Sequence, residues 1–451
     1  MKKRVHFTTT QTIMLSFLFG ILIGSILLAL PISSSTQGKI DYIDALFTAT
    51  TSMCVTGLVT LPTVSTWSFF GQLVILILIQ IGGLGVITII AGLMIYMNKK
   101  IGLNDRLLLQ DAFNLNSISG IIRFIKKVLK GTLIVESVGA LLYMLVFVPE
   151  FGVRGIWISI FTSVSAFCNA GIDIISENSL CDYALNPIVN AVTSMLIVLG
   201  GIGYLVWWDV VRVLKKRTQQ KISVFSHLTL HSKIVLSVTT FLVLFGALSF
   251  LVFEYNNPLT IKNLSLFDKV QVSFFQSITT RTAGFATIPQ QNLTNSSAII
   301  SMILMFIGGS PAGTAGGIKT ITIAVLLISA LATIQNREHV EVFDRTLSKH
   351  AVNKSVAVVS VSFSIMMVST LLLSSCMHAD LLDILYETVS ATATVGLTRN
   401  LTPSLNMMGK IVIIVTMYLG RVGPISLLVA FNAKKDKKNV IKNPIEEISI
   451  G

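Results

Sequence analysis

Along the chain, long apolar runs alternate with short stretches that mix apolar positions with Ser, Thr and Ala, and this order occurs four times. The first unit predicts a long helix over 11–32, a short amphipathic helix over 42–53, a loop at 54–60 and a second long helix over 70–98. The second unit gives 128–149, 156–167, 168–174 and 187–213. The third gives 231–254, 267–280, 281–287 and a broken segment over 297–334, and the fourth 351–377, 381–392, 393–399 and 407–431. The long runs hold the ~20 apolar residues that a membrane span requires. The short stretches have only 12 to 14 residues, a length that enters a bilayer and turns back rather than crossing. The predicted fold is an all-α polytopic membrane protein with eight transmembrane helices and four re-entrant pore helices. It divides into repeats at 1–98, 99–225, 226–345 and 346–431, followed by a tail at 432–451.

Composition agrees. Hydrophobic residues make up 53% of the chain and charged ones 12%, with a mean hydropathy of +0.78, whereas a soluble domain carries about 25% charge. The apolar run at 12–31 follows Lys2, Lys3 and Arg4 like a leader, but it is too long for a leader's apolar region and its cleavage match is poor. It reads as a retained helix. The net charge of +13 is unevenly placed: 25 of the 34 Lys and Arg fall at 2–4, 99–130, 212–233, 337–354 and 434–442. One whole repeat lies between consecutive clusters, so all five share one side. The positive-inside rule makes that side cytoplasmic, together with both termini. Such clusters face anionic membrane lipid, and no aromatic-interleaved basic motif points to nucleic acid. Cys54, Cys168, Cys181 and Cys376 form no CxxC pair or metal spacing, and six scattered His give no catalytic cluster. No metal site and no enzyme activity are expected, and no arginine-striped voltage sensor is present.

Four glycines punctuate the repeats: Gly57, Gly171, Gly284 and Gly396, separated by 114, 113 and 112 residues. So even a period means that one unit is used four times. Ten residues before each stands an aromatic ring, Phe47, Phe161, Phe274 or Tyr386, placed to wedge each short helix against its neighbours. Non-helical backbone at membrane depth survives only where it is buried in protein or lines a water-filled cavity. Glycine there permits positive φ without steric penalty, so four loops are able to aim carbonyls at one dehydrated cation. The negative C-terminal ends of the short helices favour a cation at the same place.

The four loops, with the string GGSPAGTAGGIKT at 308–320, resemble the Trk/Ktr/HKT superfamily of potassium transporters over essentially the whole chain. The short stretch before the first helix makes the Ktr membrane subunits the nearest group. The resemblance implies four tandem M1–P-loop–M2 repeats around a pseudo-fourfold pore that passes K+, with Na+ as a possible activator. It also implies a bacterial cell membrane location, a homodimer and a cytoplasmic ring of RCK-type nucleotide-binding subunits. This chain itself would bind no nucleotide. Carried over by position, the selectivity filter is Val55, Thr56 and Gly57; Asn169, Ala170 and Gly171; Thr282, Ala283 and Gly284; and Thr394, Val395 and Gly396. Val55 and Asn169 depart from Thr at the first position, which leaves the innermost ligands open.

Each second helix carries a further glycine cluster: Gly82-Gly83-Leu84-Gly85, Gly200-Gly201-Ile202-Gly203, Gly308-Gly309 and Gly420-Arg421-Val422-Gly423. In the third repeat it expands to Gly308, Gly309, Ser310, Pro311, Ala312, Gly313, Thr314, Ala315, Gly316 and Gly317. Five glycines and a proline cannot continue a stable helix. An extended segment below the filter would obstruct the conduit, and in the resembling family it is a gating loop. A nucleotide-binding turn is the alternative, but the preceding strand and GxGxxG spacing are missing. Arg421 takes the place of Gly83, Gly201 and Gly309. As an intramembrane charge it marks function, repelling cations and bonding loop carbonyls, unless it snorkels to the cytoplasm. Lys319 either snorkels or holds the loop's carbonyls. Arg281 braces its short helix, and Arg399 flanks the fourth loop. Asp41, Asp268 and Asp380 are placed to cap short helices, and Asp173 lies at the outer mouth. A gated K+ pathway fits four same-orientation repeats, whereas an alternating-access cation symporter, the competing reading, typically shows inverted or two-fold repeats.

Overall fold

The computed structural model describes residues 8–35, 40–97, 99, 101–113, 119–220, 223–337 and 339–423. The clusters at 2–4 and 434–442, the tail at 432–451 and the last part of the helix expected at 407–431 lie outside them. Each unit opens on one continuous apolar helix: Thr9–Leu28, Ile121–Phe151, Leu230–Glu254 and Lys349–Cys376. Each then turns into a short helix: Tyr42–Cys54, Val153–Cys168, Leu266–Thr279 and Leu381–Ala393. The second helices all start on a side-chain cap, in which Ser68, Asn186, Thr294 and Asn406 accept from the backbone N–H of Gly71, Val189, Ser297 and Gly409. Such caps supply partners to otherwise orphaned N–H groups where the chain re-enters the membrane.

Every short helix packs against the first helix of its own unit and the second helix of the unit before it, and the first unit's short helix packs against the fourth unit's second helix. Four units therefore close into a ring. Polar pairs join neighbours near the outer edge: the Trp157 Nε1–H donates to Gln72 Oε1 at 2.9 Å, and Lys410 pairs with Asp44 at 2.6 Å.

The second helices of units one and two differ from the continuous helices expected, whereas the third is broken as expected. Gly85 and Gly203 break the first two, at φ 85° and 88° with ψ 134° and 144°, a region essentially reserved for glycine. The halves, Phe69–Leu84 with Val86–Tyr96 and Pro187–Ile202 with Tyr204–Gln220, bend by 95° and 97°. In the third unit Asn295–Phe306 and Thr320–Ile334 flank a non-helical segment, and in the fourth Met407–Val422 ends at Gly423 with φ 91°. Among the described residues four helices are long and apolar enough to span, or six if each bent pair counts as one. Linker 101–113 forms an unexpected helix, Leu103–Phe113, and a two-residue hairpin pairs Glu341–Val342 with Arg345–Thr346.

Phe47, Phe161 and Tyr386 are buried as expected, but Phe274 is 39% exposed and Phe275 takes its place. The cause is the helix ending. Thr56, Ala170 and Val395 donate their N–H five residues back, to the carbonyls of Thr51, Ser165 and Ser390, whereas Ala283 reaches only four back, to Thr279. One residue fewer in this C-terminal turn rotates the third helix by about 100° relative to its glycine. The capping expectation also needs correction. Asp41 and Asp380 occupy N-cap positions without a side-chain bond, and Ser265, not Asp268, caps the third short helix.

Candidate functional site: the glycine ring and the strap beneath it

Two residues before each glycine the backbone turns left-handed: φ is 56° at Val55, 61° at Asn169, 72° at Thr282 and 51° at Thr394. The glycine two positions on also has positive φ, between 65° and 100°. Close approach explains why nothing larger fits. A Cβ on Gly57 would stand 2.5 Å from Ala170 O; on Gly171, 2.5 Å from Ala283 O; on Gly284, 2.5 Å from Val395 O; on Gly396, 2.3 Å from Thr56 O. Each glycine thus leans on the carbonyl of the next unit, and the last leans on the first. The four loops named from sequence meet in one closed ring, with the carbonyls of Thr56, Ala170, Ala283 and Val395 at their junctions. All twelve residues except Gly57, Gly171, Gly284 and Gly396, whose burial is set by these contacts, have at most 1% of their surface exposed.

The side chains of the loops divide. Thr56 and Thr394 keep buried hydroxyls with no partner among the described residues. The Asn169 amide, oriented to satisfy both its groups, donates to Ala166 O and Ile197 O at 3.0 and 3.3 Å, back toward its own unit. Hydroxyls on the short helices brace the loops. Thr51 accepts from Gly57 N–H, Ser390 from Gly396 N–H and Ser165 from Ile172 N–H, at 3.0, 3.0 and 3.1 Å.

Segment 307–319 crosses beneath the ring as an extended strap. Ser310 N–H donates to Gly201 O at 2.8 Å, Thr314 N–H to Gly200 O at 3.1 Å and Tyr204 N–H to Ala312 O at 2.9 Å. These bonds occupy carbonyls and an N–H freed where the second unit's helix breaks at Gly203, so bend and strap satisfy one another. Thr314 Oγ1 donates to Phe167 O at 2.9 Å, and a Cβ on Gly316 would meet Thr394 Oγ1 at 1.8 Å. The strap therefore reaches from the short helix of unit two to the loop of unit four. Ser310 and Thr320 hydroxyls join its ends at 2.9 Å.

Three cations hold this segment. Arg421 does not snorkel: its Nη1 donates to Thr314 O at 2.7 Å and its Nη2 to Gly82 O at 2.6 Å. Lys319 Nζ donates to Ala315 O at 2.6 Å, which decides between its two readings in favour of the strap's own carbonyls. Arg281, buried behind the loop, reaches Gly308 O at 3.3 Å and lines a small cavity with Ile278 and Gly309. Arg399 points the other way, pairing with Asp383 at 2.7 Å and donating to Gln290 O and Leu293 O.

Among the described residues five buried carboxylates escaped the sequence reading, Asp44, Glu136, Asp209, Glu254 and Glu387. Glu136, in the second unit's first helix, accepts from Gln80 Nε2 at 3.2 Å. Glu387, in the fourth short helix, accepts from the hydroxyls of Thr398 and Thr402. A lone acid inside an apolar or re-entrant helix was the signal available. Among the described residues no three His, Cys, Asp or Glu gather as a metal site.

These features define a polytopic membrane protein whose four re-entrant loops close one backbone-lined ring, with an extended strap under it. Residues 5–442 match the family TrkH, described as cation transport protein, and the chain belongs to that family. It is 39% identical to the potassium/sodium uptake protein NtpJ of Enterococcus hirae, over 100% of this chain and 99% of that protein. It is 38% identical to the Ktr system potassium uptake protein B of Bacillus subtilis, over 100% of this chain and 98% of that protein. In fold it is similar to the potassium transporter TrkH from Vibrio parahaemolyticus. The TM-score is 0.73 at 17% identity, covering 95% of this chain and 86% of that one.

Proposed function

We propose that this chain is the ion-translocating subunit of a K+ uptake system, passing K+ in channel-like fashion through the glycine ring as a selectivity filter. The observation that carries this reading is the cyclic contact of Gly57, Gly171, Gly284 and Gly396 with the carbonyls of the next unit. Four such carbonyls, backed by the negative ends of four short helices, replace the water shell of a monovalent cation without a charged side chain. A negative membrane potential drives the ion inward with about 2.3 kcal/mol per charge per ~100 mV.

In this reading the strap 308–320 is the gate and Arg421 its latch, since a strap from unit two to unit four bars the path below the ring. Relatives named for potassium and for potassium/sodium uptake support K+, and Na+ beside it, as carried ions; activation by Na+ belongs to the same proposal. The Ktr naming of relatives implies a system with a further component. We take that component to be an RCK-type nucleotide-binding ring, docked on a homodimer of this chain from the cytoplasmic side of the cell membrane, where the basic linkers and both termini lie.

Rb+ uptake into K+-uptake-deficient cells tests both parts. Gly57→Ser places a Cβ 2.5 Å from the Ala170 carbonyl at a φ of 100°, so uptake and the preference for Rb+ over Na+ should fall. Deleting 311–316 should raise uptake when the regulatory ring is absent. Unchanged behaviour in the first variant sinks the filter, and in the second, the gate.

A further inference from the structure

Units one and two brace the chain near the glycine with a hydroxyl of the short helix, and in unit three Thr279 Oγ1 donates to Phe285 O at 2.6 Å. Unit four has its hydroxyl too, on Ser390, and adds a carboxylate. Glu387 follows the buried ring of Tyr386, where the other units have Thr48, Thr162 and, with the one-residue shift of the third short helix, Gln276, which bonds Gln290. It is fully buried, with 0% of its surface exposed. The Thr398 hydroxyl donates to its Oε2 at 2.6 Å and the Thr402 hydroxyl to its Oε1. Thr398 Oγ1 accepts in turn from Leu401 N–H at 3.1 Å and Thr402 N–H at 3.4 Å. One turn earlier on the same helix, Asp383 holds Arg399, and Arg399 holds two carbonyls of unit three. The segment that leaves the fourth glycine is thus tied at 398, 399 and 402.

Stability alone does not explain the acid. Among the described residues Glu387 has no cationic partner, since the ion pairs are Arg212–Asp209, Arg399–Asp383 and Lys410–Asp44. A buried carboxylate needs bonds that replace its hydration, and well-packed apolar groups often stabilise such a place equally well. What the acid adds is geometry, because its two oxygens hold two hydroxyls, 11 and 15 residues on, at once. We infer that Glu387 is a positioning residue for cation discrimination, acting through Thr398 and Thr402 to fix the Val395–Gly396 wall. Val395 O and Gly396 are the groups against which Gly284 and Thr56 O close the ring. The inference rests on the filter reading above.

The test uses the full chain in K+-uptake-deficient cells, with Rb+ uptake measured alone and against Na+ and normalised to membrane abundance. Glu387→Gln should raise the Rb+ concentration for half-maximal uptake about tenfold and strengthen Na+ competition, with the maximal rate per molecule held. Thr398→Val and Thr402→Val should move the same quantities by less. The double variant Glu387→Gln with Thr402→Val should be no worse than Glu387→Gln alone, because both remove one contact. Wild-type half-saturation and Na+ competition in Glu387→Gln at normal abundance would overturn the assignment, as would a loss of maximal rate alone. Should Glu387→Gln fail to reach the membrane, unchanged Na+ competition in both threonine variants overturns it instead. Failure of the filter reading is visible separately, as Gly57→Ser leaving uptake and selectivity unchanged.

Discussion

The second helices of units two and three meet the same obstacle and answer it differently. Both must pass the C-terminal end of a short helix close enough to support a loop. In unit two Gly200 slides under that end, where a Cβ would stand 2.0 Å from Phe167 O, and the helix breaks three residues later. Gly82 and Gly420 make the same approach, to Met53 O and Thr392 O at 2.0 and 2.3 Å. In unit three the glycine at this place, Gly308, meets Gly316 O of its own strap. Units one, two and four build a support from helix against helix; unit three opens the helix into the strap. Symmetry carries the ring, and departure from symmetry carries the strap.

The largest expected effect separates two adjacent glycines. Gly200→Ala drives a methyl into the Phe167 carbonyl, and both partners are backbone held in packed helices, so Rb+ uptake should be lost. Gly201→Ala finds its nearest neighbours at 3.5 and 3.8 Å, ordinary contact, and should behave as wild type. Equal uptake by the two variants would break the comparison.

Next in size is Arg421→Gln, which removes charged donors to Thr314 O and Gly82 O, the links between strap, unit four and unit one. A hydrogen bond to a charged group is worth about 1.5–3 kcal/mol, and each ~1.4 kcal/mol is tenfold in an equilibrium. Basal Rb+ uptake without regulatory subunits should rise about tenfold or more; an unchanged basal rate would show that the strap holds without its latch. Smallest is Lys319→Met. Lys319 bonds only the strap's own carbonyls, so its removal should loosen one end and raise basal uptake about threefold, by roughly half the effect of one such bond. A larger effect than that of Arg421→Gln would reverse the assignment of the latch.

Much of this architecture was legible in the sequence because spacing survives where side chains vary. The period between Gly57, Gly171, Gly284 and Gly396 located the ring, and five glycines with Pro311 located the strap. Other features were hidden in local geometry. In Gly82-Gly83-Leu84-Gly85 all three glycines look alike, yet Gly82 packs and Gly85 bends. The ring swap from Phe274 to Phe275 depends on one residue in a helix-ending turn, a difference that adjacent phenylalanines conceal. Asp41 and Asp380 stand at caps without bonding there, because composition marks a helix start but not a rotamer. Glu387 was readable as an odd acid, though its two threonine partners, 11 and 15 residues on, were not.

The ring closes through its most distant pair: Gly396 comes against the carbonyl of Thr56, and Lys410 against Asp44, across 366 positions of chain for the latter. For a chain inserted into the membrane as it leaves the ribosome, the ring is closed by the last unit to be synthesised. A truncated or stalled product that lacks this unit lacks one of the four walls and both contacts that join unit four to unit one.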